Sequence, residues 1–263
     1  KFNDLYCSYE DDESIPRTTI GAQELILNLL KERAETGRIY IMNIDHCNSH
    51  SSFKDRVSMS NLCQEITLPT HPISHIDDHL GEIALCILSA VNVGKIRSDE
   101  ELEELCDLSV RALEELIDYQ QYPVLAAEQA TKARRSLGVG FIGLAHYLAK
   151  LGFDYGSQEA WDAVHGLAES FQYYLLKSSN QLAKEKGHCE NFGRTKYADG
   201  ILPIDTYKKD VDEICSQPLQ HDWESLRASI NEFGLRHSTL SAQMPSESSS
   251  VVSNATNGIE PPR

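Results

Sequence analysis

Asn61, Cys63 and Glu65 occupy alternate positions of the run Ser60-Asn61-Leu62-Cys63-Gln64-Glu65-Ile66. In an extended backbone, side chains two residues apart share a face. The spacing therefore predicts an amide, a thiol and a carboxylate on one surface, flanked by apolar Leu62 and Ile66. That set suits chemistry in which a sulfur attacks, a carboxylate moves a proton and an amide steers a hydroxyl. A second thiol, Cys86, follows in Gly81-Glu82-Ile83-Ala84-Leu85-Cys86. The competing account is a buried structural cysteine with an unrelated solvent-facing glutamate, because unpaired cysteine is among the most buried residue types.

The rest of the composition narrows the setting for such chemistry. The 263 residues are 41% hydrophobic and 24% charged, which reads as soluble and globular, with one large or two modest domains. No apolar run approaches the about 18–20 residues of a membrane helix. Net charge is −16 with no basic cluster, which argues against a nucleic acid polymer but not against a mononucleotide held by backbone N–H groups. Seven cysteines at irregular spacing, without a CxxC pair, argue for a reducing cytoplasm rather than a disulfide framework. The opening Lys1-Phe2-Asn3-Asp4 has neither an initiator Met nor a signal-peptide pattern, and the close at Pro261-Pro262-Arg263 is equally abrupt, so the chain reads as cut from something longer.

Several elements can be placed around these residues. A helix is expected over Ile20–Arg33, with Leu25, Leu29 and Leu30 on a buried face, Thr18 or Thr19 as cap and Gly37 as stop. Arg38–Asp45 reads as an interior strand, and His46-Cys47-Asn48-Ser49-His50 as a polar loop at the end of a barrel strand. Three metal ligands from five residues, without a second pair, make a poor metal site. Ile83–Val93 is another apolar, strand-like run. Glu100–Tyr119 is expected as an amphipathic helix burying Leu102, Leu105, Leu108, Val110, Leu113 and Leu116, with its acids solvated. Gly138, Gly140 and Gly143 look like a shifted dinucleotide fingerprint, but no clean strand precedes them, and close helix packing around Phe141–Leu148 accounts for them better. A long helix follows over Glu159–Lys186, with Trp161, Val164, Leu167, Phe171, Tyr174, Leu175 and Leu182 inward. Asn191–Lys209 is loop-rich, and a helix opens at Asp222 and ends near Gly234. Leu235–Ala242 is strand-like and runs into Met244-Pro245-Ser246-Glu247-Ser248-Ser249-Ser250, which reads as either an ordinary helix cap or a phosphate cradle. Alternating helices and apolar strands make the class α/β, with largely parallel, buried strands.

Taken together, Asn61-Leu62-Cys63-x-Glu65, Gly81–Cys86 and Trp223-x-x-Leu226 … Gly234-Leu235-Arg236-His237-Ser238-Thr239-Leu240-Ser241-Ala242-x-Met244-Pro245 resemble the large, catalytic subunit of class I ribonucleoside-diphosphate reductase. Gly37–Tyr40, His46–Asn48 and Asn254–Arg263 share the likeness, which runs along the whole chain but covers only the middle of the family's protein. The resemblance implies part of a ten-stranded α/β barrel, with a finger loop over about 58–68 and a phosphate-binding turn over about 244–250. By it, Cys63 is the transient thiyl radical that abstracts hydrogen from C3′ of the ribose. Glu65 is the base on the 3′-hydroxyl, Asn61 hydrogen-bonds the ribose hydroxyls, and Cys86 is one of two cysteines that reduce the substrate. Ser246, Glu247, Ser248 and Ser249 hold the substrate's phosphates. Gln64 stands where an apolar residue is expected and should face away; Ser248 stands where threonine is familiar and keeps the hydroxyl.

The same resemblance implies no metal or cofactor on this chain. The radical comes from a metal cofactor in a small partner subunit, and thioredoxin or glutaredoxin supplies the reductant. The second reducing cysteine and the domain binding ATP or dNTP effectors would precede Lys1. The tyrosine relay and mobile cysteine tail would follow Arg263; Tyr119, Tyr122, Tyr173 and Tyr174 do not match that relay. The fragment should therefore not turn over alone. Three other readings remain beside this one: a non-catalytic scaffold from a split gene, a thiol-based metal module at His46, Cys47 and His50, and a related enzyme with another radical source.

Overall fold

The computed structural model describes residues 2–37 and 39–261, and the chain divides into two compact units after Met42. The first unit holds α1 (Phe2–Asp11) and α2 (Ala22–Thr36). Gly37 ends α2 as expected, in the left-handed conformation (φ 65), with its N–H on the Arg33 carbonyl at 2.9 Å. The start differs, because Gly21, not Thr18 or Thr19, occupies the cap and no side chain caps the helix. The predicted buried face is open: Leu25 is 51% and Leu30 49% exposed, and no residue of α2 is buried. A helix stripe is buried only if another element lies on it, and apolar periodicity by itself supplies none.

The expected strand over 38–45 is also corrected. Arg38 lies outside the described residues; Ile39–Asn43 pairs with no strand, and the chain then coils into α3 (Ile44–His50). β-favouring residues form a strand only against a partner edge. His46, Cys47 and His50 therefore sit on a helix rather than in a loop. Asn48 anchors that helix to the segment leading toward Cys63, with Oδ1 accepting from Val57 N–H (2.9 Å) and Nδ2 donating to the Val57 carbonyl (2.9 Å).

The second unit is built on β1 (Leu88–Asn92) and β2 (Gly138–Ile142), which pair in parallel with Leu88 opposite Gly138 and Asn92 opposite Ile142. The strand-like reading of residues 235–242 holds as pairing, though as a single bridge rather than a full strand. Leu137 and Val139 N–H groups donate to the Thr239 and Leu240 carbonyls (3.0 and 2.8 Å), and Ala242 N–H donates to Val139 (3.2 Å). One residue further on, the Gln243 side chain replaces backbone, accepting from Phe141 N–H (3.3 Å) and donating to the Phe141 carbonyl (2.7 Å). The described residues thus hold mixed α/β structure around a two-stranded parallel sheet with a third segment alongside, and not ten strands.

Every residue of β2 is buried, and its glycines are there for closeness. A Cβ on Gly138 would stand 2.4 Å from Leu88 Cδ2, and one on Gly140 would stand 2.4 Å from the Ala242 carbonyl. The glycine run is therefore itself a strand squeezed between two neighbours, correcting the expectation of close helix packing. Gly143 follows at φ 81 as the residue before α6 (Leu144–Leu151). Gly140→Ala should cost about 1–3 kcal/mol, read as a lowered urea midpoint, because rigid backbone and Met244 leave the methyl nowhere to go.

Helices cover this sheet. The helix α4 (Asp99–Tyr119) is capped by Ser98, whose Oγ accepts from Glu101 N–H (3.3 Å). It buries Leu102, Cys106, Val110, Leu113, Glu114 and Ile117; the expected Leu108 and Leu116 fall outside that stripe and are exposed. A short α5 (Leu125–Arg134) leads into β2. The long α7 (Gln158–Lys186) buries Leu167, Phe171, Tyr174, Leu175 and Leu182 against the same core, while Trp161 stays partly exposed. Tight 3₁₀ turns and α8 (Pro203–Thr206) occupy the loop-rich stretch. Asp222 caps α9 (Trp223–Phe233), accepting from Ser225 N–H at 3.0 Å, and Gly234 ends it. The last helix, α10 (Glu247–Val252), begins after Ser246.

Among the acids of α4, Glu114 is not solvated. Glu114 is 0% exposed and accepts from Arg135 Nε (2.8 Å), Arg236 Nε (2.7 Å) and His237 Nε2 (3.0 Å). It thereby ties α4 to the end of α5 and to the segment that runs beside β2.

Candidate active site

The Cys63 loop closes on itself at its base. Ser60 Oγ donates to the Ile66 carbonyl (2.8 Å), and Ile66 N–H donates to Asn61 Oδ1 (3.1 Å). Between them the chain turns sharply, with Gln64 N–H on the Asn61 carbonyl (3.2 Å) and Gln64 at φ 64. The expected extended alternation of Asn61, Cys63 and Glu65 is therefore replaced by a turn, since a left-handed residue breaks the period of two. Cys63 and Leu62 are exposed at its tip, and Gln64 and Glu65 are half-buried behind them.

The turn nevertheless brings Cys63 and Glu65 to Cys86. Burial pushes the Cys86 thiol up, and the nearby charges of Glu65 and Cys63 add to the effect. Cys86 is still reachable by solvent on one side. Its segment is fixed to the sheet next door, where Gly138 N–H donates to the Ile87 carbonyl (2.9 Å). Glu65 Oε2 is buried with no hydrogen-bond partner among the described residues. A carboxylate oxygen in that condition is costly unless something that donates a hydrogen bond arrives. Glu65 also lines a cavity of about 950 Å3, whose wall includes Phe141, Phe171, Gln172, Ser241 and Gln243.

The other predicted residues fall into two groups. Asn61 stands at the base of the loop, where its Oδ1 is committed to Ile66 and its Nδ2 provides the donors. Ser246 is buried as the residue before α10, its carbonyl accepting from Ser250 N–H (2.7 Å) and its Oγ directed to the Met244 carbonyl (3.4 Å). Glu247, Ser248 and Ser249 are exposed on the first turn, and none of the four lines the cavity. Gln243, pinned to β2 three residues earlier, connects this turn to the cavity wall. Among the described residues no group of three or more His, Cys, Asp or Glu side chains could hold a metal.

Sequence reasoning missed an ion cluster on the segments that lead to the two thiols. Arg134 NH2 donates to Asp55 Oδ2 (3.0 Å) and Glu82 Oε2 (2.6 Å), while Arg194 reaches the same carboxylates, each at 2.8 Å. Burial alone would raise both carboxyl groups, but the hydrogen bonds and charge of Arg134 and Arg194 outweigh it and hold them below the usual range. The adjacent Arg134-Arg135 pair, between a helix and a glycine-rich strand, was the available signal.

Comparison with known proteins covers the whole chain. A profile of the family "Ribonucleotide reductase, barrel domain" matches residues 1–263. The ribonucleoside-diphosphate reductase subunit alpha of Haemophilus influenzae is 60% identical over 266 aligned residues, covering 100% of this chain and 35% of that protein. Ribonucleoside-diphosphate reductase 1 subunit alpha of Escherichia coli K12 is 56% identical with the same coverage. The subunit alpha of phage T4 is 45% identical, again over 100% of this chain and 35% of its own length. The chain thus spans about a third of the length of these relatives.

Proposed function

Because the chain belongs to the ribonucleotide reductase barrel-domain family, we propose that it is the central catalytic part of a class I ribonucleoside-diphosphate reductase large subunit. In this reading residues 1–263 form part of a ten-stranded barrel completed by other segments of a longer subunit. The reaction makes 2′-deoxyribonucleoside diphosphates for DNA synthesis, in the cytoplasm. The observation that carries the reading is Glu65, which stands near both Cys63 and Cys86, lines the cavity and has one buried oxygen awaiting a donor. At about 950 Å3 the cavity lies within the size range of small-ligand sites.

The chemistry then follows from the residues. The oxidised Cys63 sulfur takes the hydrogen atom from C3′, forming S–H and leaving a carbon radical. Glu65 Oε2 accepts the proton of the 3′-hydroxyl, which is the hydrogen bond its buried oxygen lacks. The 2′-hydroxyl leaves as water with a proton from Cys86. Cys86 and a second cysteine elsewhere in the subunit supply two electrons and end as a disulfide, the second thiol's proton ends in the new C2′–H bond, Glu65 returns its proton to the 3′-oxygen, and Cys63 returns its hydrogen to C3′. A raised Cys86 pKa keeps this thiol protonated at neutral pH, as a proton donor must be. Asn61 Nδ2 orients the ribose hydroxyls, and Ser246, Glu247, Ser248 and Ser249 hold the diphosphate through N–H and hydroxyl groups. A metal cofactor of a small partner subunit supplies the initial oxidising equivalent, and thioredoxin or glutaredoxin restores the thiols.

The test is a turnover assay on the complete subunit carrying this chain, with the small subunit and a dithiol reductant. Deoxynucleoside diphosphate should form only when all three are present. A competent partner with no product, despite diphosphate binding, would leave the chain as a scaffold.

A further inference from the structure

Arg134 and Arg135 are neighbours that serve different parts of the molecule. α5 ends at Arg134, and Arg135 adopts the left-handed conformation (φ 47). Arg135 binds Glu114 and Asp118, whereas Arg134 binds Asp55 and Glu82. Arg134 is only 3% exposed, and its guanidinium lies over the Phe53 ring at 5.7 Å. No substrate can reach it there, so its role is exerted through the residues it holds.

Those residues belong to the two thiol-bearing segments. Glu82 lies four positions before Cys86, and Asp55 eight before Cys63. Glu82 is bridged through its backbone to His71, beyond the Cys63 turn, by two 3.0 Å hydrogen bonds. Asp55 opens the stretch in which Asn48 clamps Val57. We propose that Arg134 is a positioning residue of the candidate active site, setting the separation between the segments that carry Cys63 and Cys86. The proposal rests on the reading of these thiols given above.

Charge balance explains why one arginine does not suffice. Arg134 and Arg194 face Asp55 and Glu82, two cations on two anions. Removing the Arg134 charge leaves two partly buried carboxylates sharing one guanidinium, and their repulsion drives the segments apart. Hydrogen and proton transfer between a bound substrate and groups on both segments is sensitive to such a shift, since a misplacement of about 1 Å can cost about 100-fold in rate.

The experiment compares wild type, Arg134→Gln, Arg134→Lys, Glu82→Gln and Arg134→Gln/Glu82→Gln in the complete subunit with its partner. We expect kcat to fall about 10- to 100-fold in Arg134→Gln with KM little changed. Arg134→Lys should rescue part of the loss, because a lysine keeps the charge but not the fork. The double variant, its charges rebalanced, should exceed Arg134→Gln. The pH midpoint for alkylation of Cys86 should move toward the ordinary thiol value of about 8.5 in Arg134→Gln. Wild-type kcat together with an unmoved Cys86 midpoint would overturn the proposal, and Glu82→Gln carries the same test if Arg134→Gln does not fold. A wild type that makes no product, or a Cys63→Ser that makes it normally, defeats the functional reading instead; the Cys86 midpoint still tests the positioning.

Discussion

Cys63→Ser in the complete subunit should abolish deoxynucleotide formation while leaving diphosphate binding near the wild-type level. The exchange of Sγ for Oγ barely alters size, and Cys63 is exposed at the tip of its turn, so no packing is lost. What changes is the bond: a serine O–H is too strong to be opened and remade in each cycle, whereas a thiol S–H is not. Cys86→Ser should also stop turnover, at a different stage. In the proposed reaction hydrogen abstraction by Cys63 remains possible, but the electrons for loss of the 2′-hydroxyl are missing. The partner's radical, followed by electron paramagnetic resonance, should therefore decay on addition of substrate to Cys86→Ser and persist in Cys63→Ser. Product formation by Cys63→Ser at the wild-type rate would return that thiol to a structural role.

The second large effect is on stability. Glu114→Ala should lower the unfolding free energy by about 3–5 kcal/mol, the usual cost of removing one partner from a buried ionic network. The loss takes the buried carboxylate away from Arg135 and Arg236, which lie against it at 2.8 and 2.7 Å, and leaves Arg135 with Asp118 and Arg236 with the Gly187 carbonyl as partners. His237 does not compensate. Burial pushes its pKa down despite Glu114, so it is neutral, with Nε2–H donated to Glu114 and Nδ1 bonded to Ser179 Oγ at 2.9 Å. Glu114→Gln should cost less, because the amide oxygen still accepts from one arginine.

The same glutamate imposes a pH dependence. Burial raises the Glu114 pKa, but His237, Arg135 and Arg236 outweigh burial and hold it well below the ordinary value near 4.3. A carboxyl depressed in the folded state contributes its full stability above the unfolded pKa and loses it as pH falls. Denaturant midpoints of the wild type should therefore drop on acidification below about pH 4.3, more steeply than those of Glu114→Gln. Parallel curves for the two proteins would place the acid sensitivity elsewhere.

The comparison of expectation with structure turns on range. The apolar stripes of α4 and α7 and the Asp222 start of α9 depend on residues a few positions apart, so these helices were readable close to where they stand. The residue types of Cys63, Glu65 and Cys86 were readable too, and the chemistry proposed for them rests on those types and on a resemblance. Their geometry was not: the alternation argument assumed an extended chain, and Gln64 at φ 64 turns it. Glu114 was read as one of many solvated acids because its partners Arg135, Arg236 and His237 lie 21 to 123 positions away.

By itself, then, the sequence determined where the periodic helices lie and which residue types were available for thiol and acid–base chemistry, because these depend on neighbours within about one helical turn. Tertiary structure alone decided which apolar stripes found cover and which left Leu25 and Leu30 exposed. It also decided that Gln243 would stand in for backbone beside β2, and that Arg134 and Arg135 would serve different carboxylates. Burial and ion pairing depend on which distant segments meet, and a buried charge is tolerated only where a partner is brought to it.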